Sequence, residues 1–321
     1  MILITGINGE LGSALIKKLY NNYHNKIVGL DIKKPKSTIK PLLSKTYTGD
    51  IRDKKLIEKI FIENQITEIY HLAAVLSTKA ESIPFLANEI NVDGFLNLIE
   101  AIQKRDISTK FFFPSSIAVY LLSNKNNIAI TEDQFCNPNN IYGCNKLYCE
   151  KLGSYFSHYS DLKNNIDFRA IRFSGIISAN TLPHGGTSDY APEMIHNAIQ
   201  NKAYTCFVRE DSCIPFMAMP DAIDAIIQLM KVDKNRLKRD VYHIQAFNPT
   251  VEQIYKKIIT YFPKFKLEYN VNLKRQALID SWPSKLNQSS AKNDWDWAPK
   301  YNFDEAFDKY LIPKIQEYYK R

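Results

Sequence analysis

In the stretch IYGCNKLYCE (residues 141–150) a tyrosine, Tyr142, stands four positions before a lysine, Lys146. If the stretch is helical, positions i and i+4 share a face. A free phenol holds its proton up to a pKa of about 10, so it is a poor base at neutral pH. A cation on the same face favours the phenolate and lets the tyrosine take a proton from a substrate hydroxyl. The plainer alternative is an ordinary helix surface. The chain has 19 tyrosines, so the pair acquires meaning only from its surroundings.

A second stretch, TGINGELG (residues 5–12), spaces Gly6, Gly9 and Gly12 as GxxGxxG. It follows the apolar run ILIT (2–5). It opens a segment in which Leu11, Leu15, Leu19 and Tyr23 recur every four residues, as in an amphipathic helix. A strand–turn–helix of this kind lets the backbone approach a pyrophosphate, which the helix N-terminal amides then hold. KIVGLD (26–31) reads as the next strand and ends in Asp31, about 20 residues beyond Gly12. A carboxylate there hydrogen-bonds the ribose hydroxyls of NAD and repels the extra phosphate of NADP. An ordinary strand-terminal Asp is the alternative, and the glycines before it favour the cofactor role. Lys33 and Lys34 follow and could receive a phosphate, but the carboxylate comes first.

The elements that would position these groups alternate along the first half. DKKLIEKIFIEN (53–64) reads as a helix, EIYHLAA (68–74) as a strand, and 84–105 as a long helical stretch. KFFFPSS (110–116) and FRAIRFSGIIS (168–178) read as further strands. Continuous apolar strands between helices indicate a parallel sheet covered on both faces. The expected fold is α/β: a Rossmann-type doubly wound parallel sheet over 1–175, with 205–245 returning to it in part. Residues 176–204 and 246–321 form a smaller C-terminal substrate lobe. There, a short strand and helix lie at 214–231, and Thr250 and Gln253 stand at capping-box spacing.

Composition narrows the function classes. Hydrophobic residues make up 45% and charged residues 24% of the 321, as in ordinary globular proteins. The most apolar run, Phe111–Leu122, is interrupted by Pro114, Ser115 and Ser116 and falls short of the ~20 residues a membrane span needs. MILITG has no basic n-region or cleavage site, so we expect no targeting signal and no membrane partner. Five cysteines without a CxxC pair favour free thiols in a reducing compartment, hence the cytoplasm. Six scattered histidines predict no metal site. The net charge of +8 comes from dispersed lysines, with a small cluster in KKPK (33–36), and no RNA motif accompanies it; no nucleic-acid partner is expected.

GxxGxxG, Asp31, GDI (49–51), HLAA (71–74), Asn91, PSSIAVY (114–120) and the Tyr142/Lys146 pair together resemble the extended short-chain dehydrogenase/reductase superfamily. This superfamily includes nucleotide-sugar epimerases and dehydratases. The resemblance covers nearly the whole chain and departs at Leu121, where a glycine is usual. It implies a catalytic set of Tyr142, Lys146 and Ser116, with Ser115 as a neighbour. It implies NAD held by Gly6, Asn8, Gly9, Glu10, Leu11, Gly12, Asp31, Asp50, Ile51, Leu72, Ala73, Ala74, Asn91, Ser115, Tyr142 and Lys146.

HLAAVLSTKAE (71–81), RFSGIISANTLPHGGTSDYA (172–191), PFMAMPDAI (215–223) and SWP (281–283) resemble a subfamily, the short-chain type of L-threonine 3-dehydrogenase, which needs no metal. That resemblance implies L-threonine as the substrate, oxidised to 2-amino-3-ketobutyrate. It implies substrate contacts from Ser77, Ser116, Tyr142, Thr187 and Trp282. For Ser77, Thr187 and Trp282 the competing role is a loop-stabilising hydrogen bond or core packing. A nucleotide-sugar epimerase or dehydratase would share Gly6 to Lys146 and differ afterwards. A non-catalytic NAD sensor would keep the fold and lose Ser116, Tyr142 and Lys146, all of which are present. A homodimer through the 84–105 helix and the Tyr142 helix follows by resemblance alone.

Overall fold

The computed structural model describes residues 1–123, 128–159, 165–183 and 186–320. His184 and Gly185 of the HGGTSD run lie outside the described residues. The chain forms two compact units. The first comprises Met1–Ser116, Asn139–Arg172 and Ile226–Tyr242, and the second comprises Ile117–Pro138, Phe173–Ala225 and His243–Arg321.

In the first unit the strands and helices alternate as β1 (Ile2–Thr5), α1 (Glu10–Tyr20), β2 (Ile27–Asp31), β3 (Lys45–Thr48), α2 (Lys54–Glu63) and β4 (Glu68–His71). They continue as α3 (Ser77–Ser82), α4 (Pro84–Asn88), α5 (Gly94–Gln103), β5 (Thr109–Ser116), α6 (Ile141–His158) and β6 (Ile166–Phe173). All four residues of β1 are buried, as are Phe111, Phe112 and Phe113 of β5, so these strands are covered on both faces. Strand β1 runs parallel to β2 and β4, β2 to β3, and β4 to β5. The seven-stranded sheet has the order β10-β6-β5-β4-β1-β2-β3, where β10 is Val241–Ile244. The order in which successive strands are added reverses between β1 and β4, and open α/β sheets bind ligands at such a switch point. The core packs Phe95 edge-on against Phe111 and Phe113, with centroids 5.4 and 5.5 Å away.

The second unit pairs β7 (Gly175–Ile177) with β9 (Phe216–Ala218), and β8 (Tyr204–Cys206) with β11 (Leu267–Tyr269). Its helices include α7 (Tyr190–Ile199), α9 (Val251–Tyr261) and α10 (Leu273–Ser281); α8 (Met219–Lys231) spans the border between the units. The capping box opens α9: Gln253 N donates to Thr250 Oγ1 at 3.1 Å and Thr250 N to Gln253 Oε1 at 2.8 Å.

Three elements differ from expectation. The 68–74 strand stops at His71, because Leu72 and Ala73 turn against Gly6. The 84–105 helix is interrupted by a π-helical turn, Glu89–Asp93, from which Asn91 reaches the backbone of Val75. The 168–178 strand divides at Ser174, because Gly175–Ile177 pairs with β9 instead of continuing β6. Edge strand β3 is an addition, with only Tyr47 buried.

Candidate active site

Gly6 adopts φ 72°, a left-handed conformation that glycine tolerates at no steric cost. A Cβ on it would come within 2.7 Å of the Ala73 nitrogen, and one on Gly12 within 2.3 Å of the Gly6 oxygen. Backbone therefore meets backbone at this turn. Helix α1 begins from Gly9, which offers no side-chain cap to the first amides. The positive end of the helix dipole at such an N-terminus attracts an anion. The donor set fits the pyrophosphate of a dinucleotide. Glu10 is exposed and Leu11 half-buried in that first turn.

Asp31 accepts from Asn8 N and Lys33 N, each at 2.9 Å. Asn8 in turn donates to the carbonyls of Lys33 and Lys34 at 3.1 Å and accepts from Lys36 N at 3.0 Å. The glycine turn and the lysine loop are thus tied around the carboxylate. Asp50 is held by Arg52, which keeps its carboxyl below the usual range. Ile51 is buried, and its carbonyl accepts from Asn97. Leu72–Ala74 are half-buried beside the glycine turn. Asn91 spends both ends of its amide on Val75, at 2.8 and 3.1 Å.

Helix α6 is capped by Asn140, whose side chain accepts from Gly143 N at 2.8 Å, and Glu81 accepts from Ile141 N at 2.7 Å. These contacts fix the turn that carries Tyr142. Lys146 is buried; its Nζ donates to Pro114 O at 2.7 Å and lies 5.5 Å from the Tyr142 ring centroid. Pair and β5 terminus are therefore neighbours, with Ser115 and Ser116 the next residues along. Burial pushes the Tyr142 phenol above its usual range and draws the Lys146 ammonium down to about 8, against the opposing effect of Cys149 and Glu150. The expected lowering of the phenol by Lys146 does not emerge in the chain alone, where desolvation disfavours both charged forms. Ser116 is half-buried at the strand end. Ser115 turns inward and donates to Glu150, which also holds Arg172 at 2.6 and 2.8 Å. That buried pair escaped sequence reasoning; its only signal was a glutamate one helical turn after Lys146.

Ser77 is half-buried at the start of α3 in the first unit. Thr187 and Trp282 belong to the second unit, and both are buried. The Trp282 indole Nε1 has no hydrogen-bond partner. Next to Thr187, Gly186 N donates to Asp189 Oδ2 at 2.7 Å, and Gly186 O accepts from Arg275. The Arg275 guanidinium lies 3.2 Å from the Phe207 ring centroid. Sequence reasoning missed this arginine, because nothing in its local pattern on α10 marks it. Among the described residues, no group of three or more His, Cys, Asp or Glu is placed to hold a metal ion, and no helix is long and apolar enough to cross a membrane.

Residues 2–244 match the NAD dependent epimerase/dehydratase family. The chain is 32% identical over 307 residues to the mitochondrial L-threonine 3-dehydrogenase of Bos taurus, covering 94% of this chain and 79% of the bovine one. It superposes on an L-threonine dehydrogenase from Clostridium difficile with a TM-score of 0.90 and 34% identity, over 99% of this chain and 98% of the other. A UDP-glucose 4-epimerase from Thermotoga maritima shares the fold at 21% identity and a TM-score of 0.85, over 99% of this chain and 98% of the other.

Proposed function

The chain belongs to the NAD dependent epimerase/dehydratase family, and on that premise we propose that it is a metal-independent L-threonine 3-dehydrogenase. Its cofactor is NAD, and it is an oxidoreductase of a small molecule. The proposed reaction oxidises the β-hydroxyl of L-threonine to give 2-amino-3-ketobutyrate and releases one proton. One observation carries the substrate: over 99% of the chain, beyond the end of the family match at residue 244, the likeness to an L-threonine dehydrogenase holds at 34% identity, against 21% for the UDP-glucose 4-epimerase.

When bound, NAD⁺ supplies the two-electron acceptor and a positive nicotinamide charge. Tyr142 takes the proton of the β-hydroxyl on its phenolate oxygen and passes it to solvent. Lys146 offsets the phenolate charge, its ammonium being fixed by the Pro114 carbonyl. Ser116 hydrogen-bonds the hydroxyl and orients it. We assign the first unit to NAD and the second to substrate recognition, through Thr187 and Trp282 with help from Ser77. The unpartnered Trp282 N–H supports this role, because an unmet buried donor costs about 1–3 kcal/mol and a carboxylate would satisfy it. We also assign a cytoplasmic homodimer meeting through α5 and α6; light scattering that finds only the 37.1 kDa species would overturn it.

The experiment is a substrate screen that follows NADH absorbance with L-threonine and, separately, UDP-sugars, using NAD⁺ and NADP⁺. NADH formation with L-threonine is expected. Conversion of a UDP-sugar without it would assign the site to an epimerase or dehydratase instead.

A further inference from the structure

His71 closes β4 and is buried, yet none of the roles above uses it. Its ring lies among Phe95, Phe111 and Phe113, with centroids 6.2, 6.0 and 6.3 Å away. Nδ1 stands 2.9 Å from Oγ1 of Thr5, its partner across the parallel β1–β4 ladder. The same Thr5 oxygen accepts from the backbone N–H of Ala73 at 3.2 Å. We assign the tautomer in which the hydroxyl gives its single proton to Nδ1 and the imidazole keeps its own proton on Nε2. The ring is therefore neutral. Its burial and the charge of nearby Lys146 agree, holding the imidazole down to about 3.

Thr5 and Ala73 stand on the two walls of the cofactor cradle. Gly6 follows Thr5 and abuts Leu72 and Ala73 so closely that no Cβ fits between them. The relay from Ala73 N–H to Thr5 Oγ1 to His71 Nδ1 ties the glycine turn to the Leu72–Ala74 segment by side chains.

We propose that His71 is a positioning residue for NAD binding: as a neutral acceptor it directs the Thr5 hydroxyl and so sets the spacing between the glycine turn and the Leu72–Ala74 wall. Without an acceptor at this point the hydroxyl becomes a buried donor with no partner, and its lone pair is no longer aimed at Ala73. The inference rests on the NAD cofactor and is independent of which substrate the enzyme oxidises.

The test measures NAD⁺ affinity of the full chain by titration calorimetry without substrate, with thermal melting to check folding. His71→Leu and Thr5→Val should each weaken binding by about tenfold. His71→Asn puts an amide oxygen where Nδ1 stood and should bind close to the parent. The double variant Thr5→Val/His71→Leu should lose no more than either single one, because both break the same relay. If His71→Leu does not fold, His71→Asn and the Thr5→Val and Thr5→Ser pair decide, with Thr5→Ser expected to keep parental affinity. Parental affinity in folded His71→Leu or Thr5→Val would overturn the proposal. So would losses that add to about a hundredfold in the double variant, or a His71→Asn variant as weak as His71→Leu or Thr5→Val.

Discussion

Tyr142 holds a phenol that burial keeps protonated, and Lys146 an ammonium that burial pulls down to about 8. Both shifts oppose charge, so base catalysis by Tyr142 depends on positive charge arriving beside it. Tyr142→Phe removes one oxygen and leaves the ring, so fold and NAD⁺ affinity should survive while threonine turnover falls on the order of 10²–10⁴. Lys146→Ala should lower turnover and NAD⁺ affinity together, and Ser116→Ala should cost less than Tyr142→Phe. Calorimetry and steady-state rates on the three variants check this; a folded Tyr142→Phe enzyme with near-parental turnover would remove the base from the mechanism. Asp31 should make the enzyme prefer NAD⁺, because its carboxylate repels a 2′-phosphate. Asp31→Ser should narrow that preference, and equal use of NADP⁺ by the parent would mean that Lys33 or Lys34 dominates. The Tyr142–Lys146 pair and Asp31 were singled out because a helix repeats and a nucleotide turn needs glycine at fixed offsets, and Ser116 by resemblance alone. Glu150 and Arg172 were not, because only the packing of β6 beside α6 joins side chains so distant along the chain.

Helices α1 and α2 were legible from apolar spacing and the start of α9 from its capping box, and the π-helical turn at Glu89–Asp93 was not. Its cause is tertiary: the amide of Asn91 must face Val75, and no local period encodes that. The division of β6 from β7 is similar, since Gly175 answers to β9. Arg275 shows the same limit in α10. Its guanidinium lies on Phe207, and its Nη2 holds the carbonyl of Gly186, next to Thr187. If Thr187 contacts the substrate, that carbonyl sets where the loop stands. Arg275→Met keeps apolar bulk over Phe207 and deletes the hydrogen bond. We expect the KM for L-threonine to rise about tenfold, with kcat and NAD⁺ affinity near the parental values. A fall in kcat at constant KM would place the role of Arg275 elsewhere.

At the scale of the whole molecule the proposal divides the chemistry between the two units and assigns none of it to a metal. In a metal-dependent dehydrogenase the ion polarises the substrate oxygen as a Lewis acid. Here that task is assigned to Tyr142, Lys146 and Ser116. None of the five cysteines is in a disulfide, and the two buried ones, Cys149 and Cys206, have thiols pushed up by burial, which disfavours the thiolate that a metal would take. A structural ion would contribute directly to folding free energy, so its removal would lower the melting temperature even if it stood far from the site. Extended dialysis against a chelator should therefore leave both threonine turnover and the melting temperature unchanged, and added zinc should raise neither. The two readouts separate the ways this can fail. Turnover lost to the chelator and recovered with zinc would give the proton chemistry to a metal and displace Tyr142. A lowered melting temperature with turnover intact would instead place a structural ion in the fold and leave the tyrosine mechanism standing.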